Sequence, residues 1–235
     1  MQIASAEPRA QYDTDGYTIY RDVLPRDLVA EAAGHVTWML ERNPDTRPEH
    51  LSNHLMADDP FWLRLISMEV VTRWLAADDT DAENGCLRIL PGTQNERLLS
   101  WEELEKSTDD SDVLGSGMRP EDVDEDAAID LEMAAGDVEV HHPNVIHGSN
   151  ANTSPRWRRG LTIRYIPAST RIVTDGTWIS AYMLRGEPSP GVNRYQPFPT
   201  YRDDGTQMPF ADADGWNAKA EALNQRYASE IDTGA

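Results

Sequence analysis

Between residues 136 and 160 the chain reads GDVEVHHPNVIHGSNANTSPRWRRG, a stretch holding three of its six histidines together with Arg156, Arg158 and Arg159. Neutral imidazole donates well to borderline divalent ions, and a guanidinium grips a carboxylate through two parallel hydrogen bonds. The chemistry on offer is therefore a metal ion with an anionic ligand beside it. Pro143 and Gly148 bracket the run that ends in His147, which places this imidazole at a strand end, where it can point into a barrel. Arg158 follows eleven residues later, near the start of the next strand. An antiparallel partner of that kind brings its guanidinium to the same end. His141 and His142 are adjacent and face opposite sides of a strand, so at most one serves such a site, and structural roles are assigned to both. Arg156 and Arg159 are assigned to the solvated surface.

The elements that must hold these groups are readable from periodicity. GYTIY (16–20) alternates as a strand, and from Arg26 an apolar stripe of Leu28, Val29, Ala32, Ala33, Val36, Met39 and Leu40 predicts a helix. DDPFWLRLIS (58–67) reads as a second helix with Asp59 as N-cap and Pro60 at its first position. MEVVTRWLAADD (68–79) reads as a buried strand, and AENGCLRILPGTQ (82–94), with its Asn-Gly and Pro-Gly turns, as a hairpin. Residues 102–130 form an acidic loop, read as solvated, with a lid over a site as the alternative. GDVEVHH and LTIRYI (161–166) are strands, and Trp216, Ala220, Leu223, Tyr227 and Ile231 mark a closing amphipathic helix. The turn-rich segment 182–205 wraps the surface. One mainly β domain with flanking N- and C-terminal helices is expected over 1–235.

Composition narrows the partners. A formal net charge of −20 over 235 residues disfavours nucleic acid and anionic membranes, both of which need a cationic surface. No apolar run reaches the roughly 18 residues of a membrane span, and MQIASAEPRAQYD lacks a signal-type core. The single cysteine, Cys86, forms no intrachain disulfide, so a cytoplasmic location and a small-molecule substrate are expected.

The order WLAADDTDAENGCLRILPGTQ, an acidic loop, then GDVEVHHPNVIHGSNANTSPRWRRGLTIRYI resembles the phytanoyl-CoA dioxygenase family, and DGYTIYRDVLPRDLV fits that family's opening strand and helix. The resemblance covers most of residues 13 to 170. It implies a double-stranded β-helix (jelly roll) and a dioxygenase that uses Fe(II) and 2-oxoglutarate. Such an enzyme hydroxylates a small molecule and releases succinate and CO2. It further implies that His147, in HGS, is the distal metal ligand and that Arg158 pairs with the far carboxylate of 2-oxoglutarate. The resemblance also implies that Trp74, in VTRWLA, lines the cosubstrate pocket.

One departure stands against this. The family's other two metal ligands come from an HxD motif shortly before the VTRWLA strand, and no histidine here is followed two residues later by Asp or Glu. HLMADDPFWLRLIS runs directly into MEVVTRWLA, so a strand and its HxD loop have no counterpart between about Ser67 and Met68. Three accounts are open: a stretch that belongs to the protein but not to this chain, a deletion that has removed metal binding, or a substitute carboxylate such as Asp58 or Asp78. The second would make the chain an inactive jelly-roll binding or interaction protein.

Overall fold

A computed structural model describes residues 6–48, 51, 59–67, 74–100, 102–106, 116–173 and 181–227. These group into two compact units, one formed by residues 1–50 and 71–163 and the other by 51–70 and 164–235.

The first unit is built on two antiparallel sheets. Strands β1 (Tyr17–Tyr20), β2 (Trp74–Ala76), β7 (Val138–His141) and β9 (Gly160–Thr162) form one sheet in the order β1-β7-β2-β9. Strands β3 (Leu87–Ile89), β6 (Ile129–Leu131) and β8 (His147–Ser149) form the other in the order β6-β3-β8. Tyr17 of the first sheet packs with Leu87, Ile89 and Leu131 of the second and with Val145, and Ile19 touches both this cluster and one of Trp74, Ala76 and Met133. The two inner faces thus share one core. β2 is buried along its whole length, as its apolar sequence predicts; residues 68–73 of the expected strand lie outside the described residues.

The hairpin expected at 82–94 does not form. The Asn84-Gly85 turn is there, with Gly85 at φ +75°, where an added Cβ would meet the Asn150 carbonyl at 2.5 Å. The strand that follows, however, pairs with β6 and β8, far along the chain, and with no local partner. In the acidic segment, β4 (Glu105–Lys106) pairs with β5 (Ser116–Gly117). Arg88 of β3 ties the segment down through Glu125 at 2.6 Å and Asp130 at 3.0 Å.

Helix α1 (Ala6–Asp15), too polar for periodicity to reveal, leads into β1. Helix α2 (Arg26–Arg42) buries Leu28, Val29, Ala32 and Met39 of the stripe its spacing predicts, and His35 besides, while Ala33, Val36 and Leu40 are half-buried. The turn between β1 and α2 is clamped by Asp137, which is 3% exposed. Its carboxylate accepts from Arg21 Nη1 at 2.7 Å, from the Asp22 N–H at 2.8 Å and from the Ala134 N–H at 3.0 Å. Asp22 takes the left-handed conformation, φ +52°, that this turn requires.

In the second unit, helix α3 (Pro60–Ser67) starts as expected: the Asp59 carboxylate accepts from the Phe61 N–H at 3.0 Å. Phe61 meets Phe210 edge-on at 6.3 Å. Helix α4 (Ala213–Tyr227) buries Trp216 and Ala220; the expected helix end at Ile231 lies outside the described residues. Asn224 of α4 bonds both the N–H and the carbonyl of Phe198, satisfying backbone in a proline-rich segment that has no sheet partner there. Among the described residues no helix is long and apolar enough to cross a membrane.

Burial pushes the Asp137 carboxyl up, but the hydrogen bonds from Asp22, Arg21 and Ala134 outweigh it and hold the group below its ordinary range. A depressed folded value means that the stabilisation is present above the unfolded value near 3.9 and is lost as pH falls through the folded value. Urea denaturation of Asp137→Asn should therefore show a loss of about 1–3 kcal/mol at neutral pH. The difference from wild type should shrink as the pH is taken below about 4.

Candidate active site

Residues directly opposite one another on antiparallel strands share a sheet face. Ile19 faces Glu139, Glu139 faces Trp74, and Trp74 faces Thr162, so these four form a row across the first sheet. His141, opposite Tyr17 and two residues beyond Glu139, lies on the same face. In the second sheet His147 is opposite Ile89, a fully buried core residue, so it leaves β8 on the core side. The result is that the rings of His141 and His147, one from each sheet, approach to 4.5 Å between centroids with their planes tilted by 39°.

Both rings are held by their Nδ1 atoms. His147 Nδ1 lies 2.8 Å from the Val145 carbonyl, which can only accept. Nδ1 therefore carries the hydrogen, and the lone pair of the neutral ring is at Nε2. His141 Nδ1 lies 2.8 Å and 3.1 Å from the two carboxylate oxygens of Glu139, a residue 0% exposed. His147 is exposed and His141 is partly buried, so a ligand reaches the pair from the His147 side.

Arg158 stands two residues before β9, with its guanidinium 5.8 Å from the centre of the Trp74 ring. The indole in turn lies flat against Gly160, where an added Cβ would come within 2.3 Å of it. Burial pushes the Arg158 pKa down, though from a value so high that the group stays cationic. The group that acts on it electrostatically is the Cys86 thiol, which burial, with Asp130, Glu132 and Asp81 adding to it, pushes up to about 11. A neutral thiol supplies no countercharge at neutral pH, and among the described residues no carboxylate pairs with Arg158. Its neighbours differ. Arg156 reaches Asp81 at 2.8 Å and Glu83 at 3.0 Å, and Arg159 holds Asp78 through two side-chain bonds and its backbone N–H. In so acidic a chain, a part-buried arginine without an acidic partner among the described residues stands out from its neighbours.

The structure sets His147 beside a second imidazole and Trp74 beside Arg158. His141, expected to have a structural role, has its ring packed on that of His147. The signal was available in the pattern Glu-x-His on the strand paired with Trp74. Asp78, a candidate substitute ligand, is fully engaged by Arg159, and Asp58 lies outside the described residues. Among the described residues no three His, Cys, Asp or Glu side chains converge on a point that would hold a metal. The donor chemistry still fits part of an iron and 2-oxoglutarate site, with imidazole nitrogen for the ion and a guanidinium for a dicarboxylate.

The fold is shared with solved structures of low sequence identity. The solved structure titled "non-heme monooxygenase; ThoJ apo" superposes with a TM-score of 0.57 at 16% identity, covering 94% of this chain and 97% of that one. EvdO2 from Micromonospora carbonacea var. aurantiaca, complexed with 2-oxoglutarate, gives a TM-score of 0.46 at 16% identity over 68% of this chain and 94% of that one. The phytanoyl-CoA dioxygenase (PhyH) family model matches residues 20–160, and the chain belongs to that family. The peroxisomal phytanoyl-CoA dioxygenase of Bos taurus is 27% identical over 147 residues, 60% of this chain and 42% of that protein. The chain spans about two fifths of the length of the curated relatives it matches.

Since a Cβ at position 160 would meet the Trp74 ring at 2.3 Å, Gly160→Ala should displace the indole and with it the Arg158 side chain. A loss of about 1–3 kcal/mol in stability, with a changed tryptophan near-ultraviolet circular dichroism signal, is expected. An unchanged signal would show that the indole does not rest on Gly160.

Proposed function

We propose that this chain is an Fe(II)- and 2-oxoglutarate-dependent dioxygenase on a double-stranded β-helix scaffold, which hydroxylates a small molecule and releases succinate and CO2. The observation that carries the reading is Arg158: a part-buried guanidinium without an acidic partner among the described residues, set against Trp74 and following His147 at the family's spacing. When bound, iron and 2-oxoglutarate supply the oxidising power for attack on an unactivated C–H bond.

The chain's own residues bind and orient. His147 offers Nε2 to the metal, its ring fixed by the Val145 carbonyl. Arg158 receives the far carboxylate of 2-oxoglutarate in a bidentate bond. Trp74 supports the guanidinium from one side and keeps water from it, which strengthens the ion pair. The net charge of −20 favours neutral or cationic substrates over polyanions.

The test is 2-oxoglutarate-dependent succinate formation with added Fe(II). His147→Ala should abolish it. Arg158→Gln should weaken 2-oxoglutarate binding by about 2–3 kcal/mol, roughly 30- to 150-fold, seen as a raised KM. Succinate formation that is indifferent to both substitutions would refute the reading.

A further inference from the structure

Building on that reading, we propose that His141 supplies a second imidazole to the same metal ion and that Glu139 is its positioning residue, the pair taking the place of the histidine in the family's HxD motif. Three observations converge on this. First, the rings of His141 and His147 come from opposite sheets and meet at 4.5 Å, a distance at which one small ion can be shared. Two imidazoles side by side are poor packing partners when either is protonated, and a divalent ion between them removes that conflict. Second, each ring is bound at Nδ1 by an acceptor, Glu139 for His141 and Val145 for His147. Metal-ligating histidines are fixed in this way, the outer acceptor setting the tautomer and raising the basicity of the nitrogen that binds the ion. Third, Glu139 is 0% exposed, between Val138 and Val140 and opposite Trp74. A carboxylate at such a site is costly unless it is paired, and an apolar residue would fill the space more cheaply.

Glu139 is not itself a ligand. Both of its oxygens are directed to His141 Nδ1, and no three donors converge among the described residues. The protein contribution assigned here is two imidazoles.

The experiment loads the purified full chain with Co(II), which reports its ligands through visible absorption, and counts coordinated imidazoles by X-ray absorption fine structure. Two imidazoles are expected on the wild-type protein. His141→Ala and His147→Ala should each weaken Co(II) binding at least about 100-fold, with unchanged far-ultraviolet circular dichroism. Glu139→Gln should weaken it roughly 10- to 100-fold and shift the visible band, which a purely structural side chain would not do. One imidazole, lost in His147→Ala and kept in His141→Ala, overturns this inference and leaves the proposed function standing. No Co(II) binding by the wild-type chain overturns both. The imidazole count needs no variant, so the inference stays testable if His141→Ala fails to fold.

Discussion

The Trp74 indole lies so close to Gly160 that a Cβ at position 160 would meet it at 2.3 Å, and the Arg158 guanidinium lies 5.8 Å from the centre of the same ring. β2 has only three residues, yet it bonds β7 on one side and β9 on the other. Through this buried strand the row Ile19, Glu139, Trp74 becomes continuous, and the chain reaches β9 with Arg158 just outside the sheet. A shift of one residue in β2 would turn Trp74 to the other face and leave the guanidinium without its support.

Charge is disposed around this frame in a consistent way. Most cations of the 136–160 region are neutralised locally, Arg156 by Asp81 and Glu83, Arg159 by Asp78. Asp137 is spent on the turn before α2, and Glu139 on His141. Of the three arginines in this region, Arg158 has no acidic partner among the described residues and lies beside the Trp74 ring. The proposed function supplies the missing charge with a ligand carboxylate.

Much of the fold was legible in the sequence, because local signals carry it: most of the stripe of α2, the Asp59 cap of α3, and the alternation of β1 and β7. One expectation failed: the Asn84-Gly85 signal says that the chain turns but not which strand β3 will meet, and its partners lie at 129–131 and 147–149. For His141 and His142, adjacency on a strand says that they face opposite sides, and it does not reveal the buried Glu139 or the His147 ring beside His141. β7, however, is flanked by β1 and β2, and both of its faces are covered, so Val138 and Glu139 are equally buried. Alternation separates two faces and is silent on which of them meets water. The HxD gap at Ser67–Met68 is a departure from the family that the sequence states and the described residues do not fill.

The central claim is that one site in this chain takes both a divalent metal and 2-oxoglutarate, and the most direct measurement is an anaerobic titration of the Fe(II)-loaded protein with 2-oxoglutarate, followed by visible absorption. A new band that saturates at one equivalent per chain, and that needs both components, is the result predicted. A spectrum that does not change on adding 2-oxoglutarate, with Fe(II) demonstrably bound, would contradict it.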